Sequence, residues 1–307
     1  MPVSNEAVSG RTKHSSAPRS PSKVTQNLLA AILFLAPAIL LMFLFRLVPI
    51  ATVAWDSFRS SAGQWVGLEN FVFLLGSPSF RDSLSATLIF NLIVNPIQIA
   101  LAFLLALAIV DGARRPGLWQ SLNLMPVAVP LAVSAIVWGV AMRPDSGILN
   151  SLLAAVGLPN QAWLTSPEQA LWSIVLIASW VGVGYWALFL VAGLHQVDHS
   201  LLEAAKIDGA GYLRTLFSIR IPLIRGTLGF VLVADTVVNL LLFAPVQMLT
   251  RGGPEGSTSF VMFDIYRNAF VFRDLPLAAA ETFLLVLIVT AIVALQFRFM
   301  KPEGAKK

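Results

Sequence analysis

Six runs of the chain, approximately residues 28–50, 84–110, 119–142, 170–194, 224–248 and 278–300, are apolar almost end to end. Crossing a hydrocarbon core of roughly 30 Å takes about 20 residues at about 1.5 Å each, so every run is long enough to span a bilayer. Lipid offers no water to backbone N–H and C=O groups, and a spanning segment has to bond them internally, so all six runs are expected to be helices. Proline interrupts several of them, at Pro37, Pro96, Pro126, Pro130 and Pro245, which transporter helices tolerate and soluble helices rarely do. Only 12% of the 307 residues are charged and 57% are hydrophobic, about half the charge expected of a soluble domain. The expected fold is therefore all-α and integral to the membrane, with six transmembrane helices in residues 27–307 behind a disordered cytoplasmic tail over residues 1–26. That tail is rich in Ser, Lys and Arg like the start of a signal peptide, but the apolar run behind it is too long and lacks a clear cleavage site, so it reads as a retained first span.

The 21 Lys and Arg residues set the expected orientation. With the N-terminus cytoplasmic, 14 of them fall inside (positions 11, 13, 19, 23, 114, 115, 206, 214, 220, 225, 298, 301, 306 and 307) and 7 outside. Both termini are then cytoplasmic, and the longest cytoplasmic loop, residues 196–222, lies between the fourth and fifth spans. Trp55, Trp65 and Trp163, in the outer loops, suit the membrane interface. The net charge of +5 is scattered over short polar segments with no basic stripe, which favours lipid headgroups over nucleic acid as the acidic neighbour. The absence of cysteine excludes disulfides, thiolate metal sites and thiol nucleophiles.

Within the long loop, SLLEAAKIDGAGYLRTLF (residues 200–217) is small, polar and mixed in charge. Ser200 with Glu203 three residues later is a capping-box pattern, and Asp208-Gly209 is a natural stop, so a two-turn helix is expected over about 201–208. A second short helix is expected after Gly211, ending before Pro222. Ala204, Ala205 and Gly209 leave its surface bare enough for another protein to approach. The alternative is that Glu203 only caps and Gly209 only turns, with the loop solvated.

The run EAAKIDGA (203–210), followed by Ile219, Ile221 and Pro222, resembles the EAA loop of ABC importer permeases, with Ile221 where Leu is usual and VDHS (197–200) in place of the usual Ile-Pro-x-x entry. With VPIATVAWDSF (48–58), GLENF (67–71), GILN (147–150), WLTSPEQALW (163–172) and LTRGGP (249–254), the chain is similar to the maltose-type sugar permeases over nearly its whole length. That resemblance implies a subunit of a bacterial or archaeal inner-membrane importer for a sugar, oligosaccharide or glycerol phosphate. Its partners would be a second homologous permease, two cytoplasmic ATPase subunits and an extracytoplasmic solute-binding protein. It also implies that Glu203, Ala204, Ala205, Asp208 and Gly209 form a coupling helix seated on an ATPase subunit. The chain has no G-x-x-x-x-G-K-[ST] phosphate loop, so it is expected to bind no cofactor and catalyse no reaction, with ATP and Mg held by the partners.

Ionisable groups at bilayer depth are costly and mark functional sites by default. Asp235 is the clearest, with Asn239 one turn later on the same face. In the resembling family, sugar contacts come from the later part of span four and the middle of span five, which map to Ser179, Gly182, Tyr185, Asp235, Val238 and Asn239. Asp235 and Asn239 also fit a second role, as hydrogen-bonded bridges between helices. Asn91, Asn95 and Gln98 in span two are further candidates. No Lys or Arg cluster lies in the spans to neutralise a phosphate, which favours an uncharged sugar. His195, Asp198 and His199 place two imidazoles at i and i+4, a metal-binding spacing on a continuous helix, but without further ligands they read as headgroup-level polar residues. Gly182, Gly184 and Gly193 are read as close helix contacts. Rival readings are an ABC permease for a non-sugar solute, a stand-alone secondary transporter coupled through Asp235, and a membrane enzyme built on the two histidines.

Overall fold

The computed structural model describes residues 23–112 and 114–300, with side chains from residue 31 onward. Residues 1–22 of the expected tail and residues 301–307 lie outside the described residues, and residues 23–26 already belong to the first helix. Every element is helical, and the only bridge between extended segments among the described residues pairs Arg59 with Trp65.

The chain divides into two units, residues 1–52 and 53–307. In the first, helix α1 (Lys23–Met42) passes through a π-turn at Phe43–Leu47 into α2 (Val48–Asp56), whose residues 53–56 already belong to the second unit. It carries Pro37 in its interior, and residues 31–52 are exposed throughout.

The second unit continues with α3 (Glu69–Gly76), α4 (Pro78–Leu107), α5 (Pro116–Leu124), α6 (Leu131–Ala141), α7 (Ile148–Ala155) and α8 (Pro167–His195). Then follow α9 (His199–Ile207), α10 (Tyr212–Thr215), α11 (Ile221–Leu223), α12 (Arg225–Leu240), α13 (Val261–Tyr266) and α14 (Leu275–Met300). Among the described residues four helices are long and apolar enough to cross a membrane, or six if each of two bent pairs counts as one span.

The bent pairs fall at the third and fifth of the expected runs. The run at 119–142 is broken by 90° between Pro116–Ala128 and Leu131–Ala141. Pro130 forces the preceding Val129 into extended backbone, with φ −92° and ψ 127°, which a helix cannot continue through. In the fifth run, α12 ends at Leu240 and residues up to 248 are not part of it; a π-turn at Val246–Thr250 follows Pro245. At its other end α12 meets the Tyr212–Leu223 segment at 70°. That segment does not stop before Pro222 either, because a π-turn at Leu216–Arg220 leads directly into α11, where Pro222 occupies an early position that needs no N–H donor.

The core forms where α4 and α8 lie against each other and against α12. Ala102 and Ala106 of α4, Ala187 and Leu190 of α8, and Val231 of α12 are fully buried in one apolar cluster. Small residues let the backbones approach, as membrane helices require. A Cβ at Gly184 would run into the carbonyl oxygen of Asn123, and one at Gly193 would come within 2.9 Å of Thr227 Oγ1. At one end, Phe90, Ile174 and Phe260 make a second cluster, and Phe71, Leu74, Phe80 and Leu285 a third. Near that third cluster Ser83 donates to Asp264, and Asn268 donates to Glu281 at 2.7 Å, tying α4 and α14 to α13 and the turn after it. Trp55 and Trp65 are exposed and pack on each other at 5.3 Å, whereas Trp163 turns inward and donates to Asn150 at 2.8 Å.

Gly184→Ala is expected to lower stability by about 1–3 kcal/mol through overpacking against the α5 backbone. Gly226→Ala, where a Cβ meets nothing within 4 Å, is expected to be neutral or stabilising by up to about 1 kcal/mol. Unfolding midpoints of the detergent-solubilised variants check both.

Candidate functional site

Two regions hold the residues that the sequence marks as candidates: a buried network between α4, α8, α12 and α14, and the short helices between α8 and α12.

In the network, Asn91, Asn95 and Gln98 recur at i, i+4 and i+7, so α4 presents all three on one face. Asp235 and Asn239 stand one turn apart on α12, with Thr236 beside them, and Trp186 reaches in from α8. Trp186 Nε1 donates to Asp235 Oδ1 at 2.6 Å. The Asn239 amide nitrogen has three acceptors within reach: Asp235 Oδ1 at 2.9 Å, Asn95 Oδ1 at 2.9 Å and Gln98 Oε1 at 3.2 Å. Asn95 in turn donates to Asn91 Oδ1 at 2.7 Å and to Thr236 Oγ1 at 2.9 Å. Gln296 of α14 donates to the same hydroxyl at 2.8 Å. Five side-chain atoms of this region find no protein partner: Asn91 Nδ2, Gln98 Nε2, Ser179 Oγ, Asp235 Oδ2 and Gln296 Oε1. Beside the network lies a groove of about 420 Å³ lined by the polar Asn91, Asn95, Thr236 and Gln296 and by apolar residues including Leu92, Leu232 and Ile292.

Six residues were expected to face a solute, and the structure separates them. Asp235 and Asn239 meet inside, at 0% and 3% exposure. Gly182 lies against Gln98, since a Cβ there would sit 2.6 Å from Gln98 Oε1. Ser179 is buried with its hydroxyl unpartnered. Tyr185 and Val238 point the other way, 40% and 55% exposed, with the Tyr185 ring set edge-on to Trp186 at 4.7 Å. Asp235 and Asn239 do bridge helices, the second role that the sequence allowed them, Asp235 through Trp186 of α8 and Asn239 through Asn95 and Gln98 of α4. Sequence reasoning did not single out Trp186, Thr236 or Gln296. The lone amide in the last apolar run was the available signal for Gln296.

In the loop, α9 starts two residues earlier than the capping box predicts. Asp198, not Ser200, is the N-cap, and its carboxylate accepts from Ser200 N at 2.9 Å. That bond holds the Asp198 carboxyl below the usual carboxylate range. The start is set from the apolar side, because Val197 is buried in the main cluster and Leu202 packs against the same cluster, an N′-to-N4 staple. Glu203 consequently has no capping task and stands exposed with Ala204, Asp208 and Gly209, while Ala205 turns inward at 7% exposure. The helix closes in a Schellman turn, with Ala210 N donating to Ala205 O at 2.9 Å and Gly209 N to Lys206 O at 3.1 Å. Gly209 adopts φ +74°, which a side chain would strain. Ile207 is 86% exposed.

The rest of the loop is pinned to the end of α4. Arg220 reaches both oxygens of Asp111 at 2.8 and 2.6 Å, and the Tyr212 hydroxyl donates to Asp111 Oδ2 at 2.9 Å. His195 ends α8 and His199 begins α9, so the two imidazoles do not share a continuous helix. Among the described residues no group of three or more His, Asp or Glu converges on a point.

Trp186→Phe removes one donor from buried Asp235 and is expected to cost about 1–3 kcal/mol. Tyr185→Phe, at a half-exposed ring, is expected to change stability by less than about 0.5 kcal/mol. Thermal unfolding of the two variants in one detergent separates them.

The family model for the binding-protein-dependent transport system inner membrane component matches residues 27–301. The sn-glycerol-3-phosphate transport system permease protein UgpA of Agrobacterium fabrum is 35% identical over 289 residues, 91% of this chain and 97% of the relative. The UgpA protein of Pectobacterium atrosepticum is 32% identical over 273 residues, 86% and 92% of the two chains. Among solved structures, a bacterial ABC transporter involved in import of the acidic polysaccharide alginate superposes with a TM-score of 0.80 at 21% identity, covering 92% of this chain and 98% of that one. A second, the bacterial alginate ABC transporter in complex with an alginate pentasaccharide-bound periplasmic protein, gives 0.78 at 22% identity, with 89% and 93% covered. At these identities the structures establish a shared fold.

Proposed function

The chain belongs to the family of binding-protein-dependent transport system inner membrane components, and from that premise we propose how it works as the permease subunit of an ABC importer for a sugar, oligosaccharide or glycerol phosphate. It is a multi-pass inner-membrane transport subunit and not itself an enzyme. It pairs with a second, homologous permease, and an extracytoplasmic solute-binding protein delivers the solute. Two cytoplasmic ATPase subunits bind ATP and Mg and supply the hydrolysis. Six spans place both termini in the cytoplasm, with each bent pair counted as one span, and α9 faces the cytoplasm between spans four and five.

The observation that carries this reading is the state of α9. Its polar ends are already satisfied by Asp198 and the Gly209 turn. Glu203 is therefore free of a capping duty, and Ile207 is an aliphatic side chain left in the open at 86% exposure. A short, closed, rigid helix that presents an uncommitted carboxylate, small alanines and one large apolar residue suits a groove on another protein. Glu203, Ala204, Asp208 and Gly209 make that contact, and Ala205 holds the helix down onto its own chain. Closure of the ATPase pair then pushes α9, and the push moves the permease between inward-facing and outward-facing states. The solute passes along Ser179, Gly182, Tyr185, Asp235, Val238 and Asn239, with Tyr185 and Val238 exposed to it first and the Asp235–Asn239 pair behind them.

The test purifies the tagged chain from its native membrane in mild detergent and compares wild type with Ile207→Glu. The variant alters an exposed side chain and is expected to keep the wild-type unfolding midpoint. An ATPase subunit is expected to co-purify with wild type, and the variant is expected to lose at least about tenfold of the binding-protein-stimulated ATP hydrolysis, as desolvating an unpaired carboxylate in an apolar contact demands. Unchanged hydrolysis in Ile207→Glu would remove α9 from the ATPase contact.

A further inference from the structure

Between α9 and α12 the chain runs as a helical segment, Tyr212–Leu223, that meets α12 at 70°. Spanning helices tilt by about 20° on average, so with α12 at that tilt the segment lies within about 40° of the bilayer plane. Its residues sort into three stripes. Tyr212, Leu216 and Arg220, with Ile224 next in the same series, face the protein. Leu216 and Ile224 are buried in the main apolar cluster, and Tyr212 and Arg220 bond to Asp111 at the end of α4. Arg214 and Ser218, one turn apart, turn toward α9, where they line a groove with Ala204 and Asp208. Leu213 and Phe217, also one turn apart, belong to neither stripe and are each 65% exposed.

The charge beside this apolar stripe has one sign. Residues 209–234 contain three arginines, Arg214, Arg220 and Arg225, and no Asp or Glu. Asp111 neutralises Arg220. Arg214 and Arg225 are exposed and make no ion pair among the described residues. Arg114 and Arg115, three and four residues beyond Asp111, are exposed as well. An apolar stripe bordered by arginines, on a helix lying in the bilayer plane, suits the headgroup layer, where guanidinium groups reach phosphates and apolar side chains reach acyl chains. A groove on a partner protein could cover Leu213 and Phe217, but it would also have to supply counter-charges placed for each arginine. An anionic leaflet offers phosphate at every lateral position.

We propose that Tyr212–Leu223 is a membrane-surface helix. Leu213 and Phe217 enter the acyl chains of the cytoplasmic leaflet, and Arg214 and Arg225 bind the phosphates of anionic lipid there. The segment joins α9, on which the ATPase subunits push, to α12. Held at the surface, it is the pivot about which a push on α9 turns α12, and anionic lipid becomes a requirement for coupling. The choice of leaflet rests on the proposed cytoplasmic position of α9.

The chain has no cysteine, so a single nitroxide can be attached at Phe217→Cys or at Ser218→Cys. The labelled full chain is placed in nanodiscs of two parts phosphatidylcholine to one of phosphatidylglycerol, alone and then in the assembled importer. The label at 217 is expected to collide with dissolved oxygen in preference to a water-soluble nickel chelate, and the label at 218 to do the reverse. A label at 217 that meets the chelate freely is solvated, and one shielded from both reagents is covered by protein; either result overturns the membrane seat. In the complete importer, binding-protein-stimulated ATP hydrolysis is expected to be at least about threefold higher in the mixed lipid than in phosphatidylcholine alone. The double variant Arg214→Gln, Arg225→Gln is expected to lose most of that difference and to keep the wild-type unfolding midpoint. Hydrolysis indifferent to phosphatidylglycerol in wild type, or equally dependent on it in the double variant, overturns the lipid contact of the arginines. The collision measurement on the chain alone needs no ATPase, so it stands if the importer reading fails. Labelling of Ser218→Cys from outside intact cells by an impermeant thiol reagent would overturn the cytoplasmic placement, and the assigned leaflet with it.

Discussion

A polar group carried into hydrocarbon has to meet its partners there, and most of this structure follows from that demand. The backbone meets it by staying helical, which is why every described element is a helix. Where the helices break, at Val129–Pro130 and at Ile224, a 3₁₀ turn at Pro126–Ala128 and a π-turn at Leu216–Arg220 carry the chain up to the break. The side chains meet it by clustering. Asn91, Asn95, Gln98, Trp186, Asp235, Thr236, Asn239 and Gln296 come from four helices, and separately each would be costly at that depth.

The cluster does not satisfy itself from protein groups alone. A network selected only for stability would match its donors to its acceptors, since each orphaned buried atom costs about 1–3 kcal/mol. Here Trp186 and Asn239 serve one oxygen of Asp235 and leave the other bare, and Gln98 gives its oxygen to Asn239 while its nitrogen has no acceptor. The helices are held together by the bonded half of each group. The unbonded half stays available, which suits a path that has to bind a solute and release it.

How far the sequence revealed this depends on the kind of signal. Hydropathy located α4, α8 and α14 to within a few residues, and missed mainly their first turns, where Pro78 and Pro167 open helices through polar residues. The prolines of the third run were visible, but proline can kink a helix or end it. Here the extended Val129 before Pro130 ends the helix, and α6 leaves at 90° to the segment before it. The cap of α9 was misread because Asp198 and Ser200 are both good N-caps, and the choice was made by burial of Val197, a tertiary contact. Asp235 and Asn239 were legible as polar residues out of place. The pairing of Asn239 with α4 was not, because partners 141 to 144 positions apart leave no local trace.

The loop and the network are joined by the two helices between which the loop is strung. Trp186 lies nine residues before the end of α8, and Asp235 ten residues after the start of α12, so each sits about 14–15 Å from the loop along a continuous helix. The Arg220–Asp111 bond ties the same loop to the end of α4, which carries Asn95 and Gln98. Three helices therefore lead from the loop to the donors and acceptors around Asp235. A helix transmits displacement with little compliance, whereas a hydrogen bond of 2.6 Å tolerates only a few tenths of an ångström before it weakens. A tilt of α8 against α12 would bear on the Trp186–Asp235 bond, which joins the two helices. Under the proposed cycle, the orphaned oxygen of Asp235 and the amide of Gln98 are where that displacement alters what a solute can bind.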